Sequence, residues 1–132
     1  MFVATDTGED RVIYSASDLA AAARCEYALL RSFDARLGRG PAVSSDDALL
    51  ARTAELGDDH EQRHLDELRQ RPEFGDITVI GRPDYTVAGL AAAAEQTQRA
   101  IRRSAPVIYQ AAMFDGRFAG FADFLILENS PA

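Results

Sequence analysis

Pro106-Val-Ile-Tyr-Gln-Ala-Ala-Met-Phe114, Asp115-Gly116, Arg117-Phe-Ala-Gly-Phe-Ala-Asp-Phe-Leu-Ile-Leu127 is the stretch on which the fold turns. Two apolar runs flank an Asp-Gly pair, the usual signal for a two-residue type I′ hairpin. That turn predicts a register with Phe114 opposite Arg117, Ala112 opposite Ala119, Gln110 opposite Phe121 and Ile108 opposite Asp123. Directly opposed residues share a face, so Gln110 and Asp123 project from one side. Tyr109, Ala111, Met113, Phe118 and Phe124 take the other. Both faces are mostly apolar, which predicts a sheet covered by helices on both sides. Asp123 is the lone carboxylate of its run, and a charge there is costly unless a metal or hydrogen-bonding partner meets it.

Upstream, the pattern turns helical. Residues 1–10 are polar and read as a frayed start, with a short strand over Arg11–Tyr14. Ser15 and Ser17 are candidate N-caps, with Asp18 placed as a capping-box partner of Ser15. An Ala-rich helix is predicted from Ala16 to about Leu37, its stripe made by Leu19, Ala22, Leu29, Leu30 and Phe33. Gly38-Arg-Gly40-Pro41 ends it. A second helix runs from Ser45 to about Gln70, with Leu49, Thr53, Leu56, His60, Leu65 and Leu68 near one face. Ile77–Ile80 reads as a short strand. Thr86 caps a third helix, with Val87, Leu90, Ala91, Ala94 and Ile101 facing inward. The expected fold class is α/β, with α+β as the variant: three helices packed on a small sheet built around the C-terminal hairpin.

The 132 residues suit one domain, and the hydrophobic fraction of 47% is that of a globular chain. No apolar run approaches the roughly 20 residues that span a bilayer, and no signal pattern opens the chain, so a cytoplasmic location without membrane contact is expected. All 14 basic residues are arginine, and the net charge is −7, which excludes wholesale attraction to DNA. The charge is uneven: ten acids and four arginines lie between Asp46 and Asp76, against four and five between Arg82 and Leu127. A nucleic acid would therefore meet the second half, near Arg99, Arg102 and Arg103. A solvated helix end is the plainer reading of that trio. The single cysteine, Cys25, excludes an internal disulfide and reads as a small core residue.

Two places could carry chemistry. Around Asp123, Gly120 and Ala122 leave the backbone open to a ligand, and Gln110 adds a neutral oxygen on the same face. Mg²⁺ or Mn²⁺ is satisfied by one or two carboxylates, waters and a substrate phosphate. His60-Glu61-Gln62-Arg63-His64 fits H-E-x-x-H, which on a helix turns both imidazoles to one face as zinc ligands with Glu61 as general base. Polar neighbours (Asp58, Asp59, Gln62, Arg63) and the lack of a third histidine count against zinc; Asp84 or Glu95 would have to complete the sphere. Gly57 inside this helix costs about 1 kcal/mol relative to alanine, which points to close approach by another segment.

Four segments share a further likeness: Tyr14-Ser-Ala-Ser-Asp-Leu19 with Cys25, Leu56-Gly57-x-x-His60-Glu61, Val107-Ile-Tyr-Gln-Ala111, and Gly120-Phe-Ala-Asp123-Phe-Leu125. Together they resemble the RecB-like branch of the PD-(D/E)XK nuclease superfamily, above all the N-terminal nuclease region of bacterial RecB-like nucleases often joined to a helicase. The resemblance implies a partial restriction-endonuclease-like core and Mg²⁺- or Mn²⁺-dependent hydrolysis of DNA. Asp123 and His60 would be the catalytic and metal-binding residues, with Ala122 where the motif name has proline. Gln110 and Glu61 would line the pocket. The family's Glu/Asp-x-Lys strand has no counterpart, since the chain holds no lysine. Some relatives hold an iron–sulfur cluster through one cysteine placed like Cys25 and three later ones; without those three, no cluster is expected.

The leading expectation is thus a RecB-like nuclease segment, catalytically incomplete alone, whose His60 and Asp123 converge on one pocket. The alternatives are a non-catalytic assembly module and a zinc hydrolase using His60-Glu61-x-x-His64. In the module, Arg117–Leu127 would be an exposed apolar edge that recruits a second copy or a complementing chain.

Overall fold

A computed structural model of the chain describes residues 1–5, 8, 10–41 and 48–128. The elements run β1 (Phe2–Ala4), β2 (Arg11–Ile13), α1 (Ala16–Arg24), α2 (Glu26–Arg36), α3 (Ala48–Arg69), a 3₁₀ turn (Pro72–Phe74), β3 (Thr78–Val79), α4 (Val87–Arg102), β4 (Val107–Phe114) and β5 (Ala119–Ile126). This is a mixed α/β fold with the expected C-terminal hairpin. β4 is central, with β3 parallel on one side and β5 antiparallel on the other; β1 and β2 form a separate antiparallel pair.

The core forms where α4 crosses β4. Ala93 and Ala100 pack with Ile80, Ile108, Ala111 and Ala112, and Leu90 packs with Ala4, Ile13 and Ala119. Small side chains at this crossing let the helix lie close to the strand. One polar group is buried there with its needs met: the Thr97 hydroxyl donates to the Ala93 carbonyl and accepts from the Ala112 amide at 2.9 Å. The inward face of α4 is therefore Leu90, Ala93, Ala94, Thr97 and Ala100, while the expected Ala91 and Ile101 are exposed. At its start, the Thr86 hydroxyl caps the helix by accepting from the Gly89 amide. A β-carbon on Gly89 would come within 2.6 Å of the Asp84 carbonyl oxygen, so glycine here lets the 82–85 loop lie against the first turn.

The hairpin turns differently from the type I′ expectation. Phe114 pairs with Ala119, not Arg117, and residues 115–118 form the loop. The Asp115 carboxylate accepts from the amides of Arg117 at 2.9 Å and Phe118 at 2.7 Å, an Asx-type arrangement that outcompetes the two-residue turn. Those bonds hold its carboxyl below the ordinary range. The Tyr14 main chain adds two bonds, to the Arg117 carbonyl and from the Ala119 amide, closing the first part of the β5 edge. The two-residue shift in register places Gln110 opposite Asp123. Gln110 has φ of 57°, in the left-handed region, and the β4–β5 ladder runs on either side of that opposed pair without including it.

Several helix expectations are corrected. The predicted first helix is two: Cys25, extended at φ −163° and ψ 101°, ends α1 and begins α2, so the chain changes direction there. Nothing in the residue types around Cys25 announces the break, and its thiol is exposed rather than core. Leu19 and Leu30 are exposed as well. On α3 the inward face is Glu61, His64, Leu65 and Leu68; Thr53, Leu56 and His60 are exposed. The stripe expected through Leu56 and His60 lies about a quarter-turn away. A β-carbon on Gly57 would meet nothing within 4 Å, so no segment approaches it. The expected start at Ser45 and the tail after Glu128 lie outside the described residues. The residues expected to fray include β1, which pairs with β2 as Phe2 to Ile13. Beside it the Met1 ammonium meets the Asp18 carboxylate at 2.6 Å. Burial would raise the Asp18 pKa, but this ammonium and the Ser15 hydrogen bonds keep it below the ordinary value.

The α4–β4 contact makes a measurable claim. Thr97→Val preserves shape but leaves the buried Ala112 amide without an acceptor, and is expected to lower unfolding free energy by about 1–3 kcal/mol in urea titrations. Thr97→Ser, which keeps the hydroxyl, should lose clearly less; equal losses would show that the hydrogen bond is not what holds helix to strand.

Candidate functional site

Three elements bring oxygen-bearing side chains to one cleft of about 340 Å³, lined by Glu61, Arg82, Pro83, Tyr85, Gln110, Phe121 and Asp123. Glu61 comes from the inward face of α3. Gln110 and Asp123 come from the opposed positions of β4 and β5. Arg82 and Tyr85 come from the loop that Gly89 admits against α4. Gln110 Nε2 donates to Glu61 Oε1, which leaves the amide oxygen of Gln110 free for another donor or a cation. The left-handed backbone at Gln110 sits at this contact; a strained conformation there is held by its surroundings.

Behind the cleft a small aromatic stack fixes α3 to the sheet. The His64 ring meets Phe124 edge-on with centroids 4.9 Å apart, and Phe124 lies 5.2 Å from Tyr109. Burial first, and then hydrogen bonding to Glu61 and that carboxylate's charge, raise the Tyr109 pKa above its ordinary 10.0, while Gln110 and Arg82 act in the opposite sense. Glu61 thus engages the Gln110 amide and lies close enough to Tyr109 to oppose its ionisation.

The expected site residues divide. Glu61, Gln110 and Asp123 come together. His60 is exposed on α3 and does not line this cleft; the neighbouring Glu61 occupies the place expected for it. One residue along a helix is about 100° of rotation, so the misplaced stripe of α3 accounts for the exchange. Asp123 is exposed at the cleft rim, so the desolvation cost expected of it does not arise. In the H-E-x-x-H motif, Glu61 faces Gln110, and His64 lies against Phe124 with Nδ1 3.6 Å from Glu67. Glu95, suggested as a third ligand, instead meets Arg99 on α4 at 3.3 Å. Among the described residues no three His, Cys, Asp or Glu side chains form a metal-holding group.

Arg99, Arg102 and Arg103 do gather, lining a second cleft of about 450 Å³ with Thr78, Val79, Ile80 and Gln96. No acidic side chain lines it. Sequence reasoning missed Arg82 and Tyr85, whose place beside the carboxylates depends on how the loop between β3 and α4 packs. No described helix is long and apolar enough to cross a membrane. In comparisons with known proteins, no family model, no curated protein and no solved structure matches the chain.

Glu61 and Tyr109 offer a direct check on this geometry. In alkaline ultraviolet titrations, with Tyr109→Phe as the difference reference, the Tyr109 midpoint should fall toward 10.0 in Glu61→Gln, though burial keeps it from returning fully. The sign follows from charge: a nearby carboxylate opposes forming phenolate, and a neutral amide does not. An unmoved midpoint would place Glu61 elsewhere.

Proposed function

We propose that the cleft holds a divalent cation for phosphodiester chemistry on DNA, as part of a RecB-like nuclease. The observation that carries this reading is the meeting of the Glu61 and Asp123 carboxylates, from α3 and β5, with the Gln110 amide. This donor set fits a hard cation: two carboxylates and an amide oxygen match Mg²⁺ or Mn²⁺, which retain several waters and take further oxygens from a substrate phosphate. Bound there, the cation would supply a water acidic enough to attack and a Lewis acid for the phosphoryl oxygen. Glu61 and Asp123 would hold it, with Gln110 orienting Glu61. Arg82 would face the non-bridging oxygens of the phosphate. The Arg99, Arg102 and Arg103 cleft would take backbone phosphate farther along the strand. His60 is a bystander to this set, although the resemblance gives it a metal-binding role.

No lysine is present in the 132 residues, so the resemblance leaves the Glu/Asp-x-Lys contribution unfilled. The chain by itself is thus expected to bind metal weakly and to leave DNA uncut. Mn²⁺ titrations read by electron paramagnetic resonance should show one weak site, weakened about tenfold or more by Asp123→Asn or Glu61→Gln and unaffected by His60→Ala. Absence of binding, or equal binding by all variants, overturns the metal reading. Mn²⁺-dependent degradation of linear DNA, lost in Asp123→Ala, overturns the claim of incompleteness.

The second reading, an assembly module, is favoured by the β5 edge. Tyr14 closes only its start, and Phe121, Ile126 and Leu127 are each 40% exposed or more. An edge of this kind pairs with another strand. A homodimer or a complementing chain is the partner that fits it. Sedimentation should show a concentration-dependent dimer that Ile126→Lys dissociates; a monomer at all concentrations removes this reading.

A further inference from the structure

A third cleft, of about 390 Å³, adjoins the carboxylate cleft. Tyr85 and Phe121 line both, so these two rings stand at the junction between them. Tyr85 is 68% exposed and Phe121 40% exposed, a large apolar area to leave in water. Tyr85 is nevertheless pinned: Phe2 meets its ring edge-on, at 90° with centroids 5.3 Å apart. Its loop is seated by the close approach of Asp84 to Gly89. Beyond the rings, the third cleft is lined by Tyr14 and by Ser15 and Ser17; Ser15 donates to Asp18 at 2.6 Å and lies 2.9 Å from the Ser17 hydroxyl, so the pair offers lone pairs that accept from the amino or imino groups of a base edge. The surface therefore changes character over a short distance, from two acids and Arg82 to two aromatic rings, Tyr85 held and Phe121 open, to hydroxyls.

We propose that this junction is a nucleobase-stacking site: a base lies against Tyr85 and Phe121, its edge toward Ser15 and Ser17, while its phosphate reaches Arg82 beside Glu61 and Asp123. The inference rests on the phosphodiester reading for the choice of ligand, but the stacking itself needs no metal. A ring pinned in place loses little freedom on binding, which favours stacking over its remaining in water. A base paired within a duplex hides both of its faces, so the site takes a strand whose base is unpaired. The two acids repel an approaching phosphate when no cation screens them. Stacking thus supplies the attraction that electrostatics in the chain, at net charge −7, does not.

The chain holds no tryptophan, so Tyr85→Trp introduces a single fluorescent reporter at the junction. A short oligothymidylate should quench it, with or without Mn²⁺. In anisotropy measurements with an end-labelled oligothymidylate, Tyr85→Ser and Phe121→Ser should each weaken binding about 5- to 100-fold, with Tyr85→Phe restoring it. An abasic oligomer of equal charge should bind the native chain as poorly as the base-bearing one binds Tyr85→Ser. Equal binding of abasic and base-bearing oligomers overturns the proposal, as does quenching by duplex equal to that by single strand. The metal reading is scored separately: Tyr85→Ser should bind Mn²⁺ like the native chain. Stacking without Mn²⁺ binding would leave this site standing and remove the cation, and the reverse result would do the opposite.

Discussion

Alanine faces alanine where α4 crosses β4, and Thr97 reaches through that contact to the Ala112 amide. With so little side-chain volume between them, helix and strand are forced into close register by steric fit and one hydrogen bond. The two ends of α4 are thereby fixed relative to the sheet. Its first turn carries the 82–85 loop to the carboxylate cleft, and its last turn carries the arginines to the edge beside β3. The placement of both clefts depends on this apolar middle.

The cleft itself is assembled from side chains that constrain one another. Glu61 is engaged by Gln110 and lies close to Tyr109, Tyr109 packs on Phe124, and Phe124 receives the edge of His64 from α3. The helix that delivers the carboxylate is thus the helix that braces the aromatic stack behind it. Asp123 stands apart from this network, exposed and unshielded on the outer strand. One acid is positioned and the other accessible, an arrangement that suits a hydrated cation better than a closed structural site.

Much of this was legible in the sequence where a local pattern dominates. The two apolar runs around Asp115-Gly116 gave the hairpin, and Thr86 gave the start of α4. The change of loop moved the register by two residues, a full period of a strand, but the left-handed backbone at Gln110 breaks the simple alternation of faces, so that Ala111 and Ala112 enter one core cluster. Helix faces were less forgiving. On α3 the reading placed Leu65 and Leu68 inward correctly but put Leu56 and His60 with them, because polar Glu61 and His64 are what that face presents to the sheet one turn earlier. The break at Cys25 carries no glycine or proline to announce it. Partners distant in sequence, Tyr14 with Arg117 and Glu61 with Gln110, left no local trace at all.

Gln110 and Asp123 interrupt the ladder between β4 and β5, with regular pairing above and below. A hairpin divided in this way has its lowest opening energy at the division, so amide protons there exchange with solvent before those of the flanking pairs. The molecule thus concentrates its compliance where its acids gather: the strands can part by a fraction of an ångström at the cleft while both halves of the hairpin remain zipped. Such a joint lets the spacing between two carboxylates adjust to whatever lies between them.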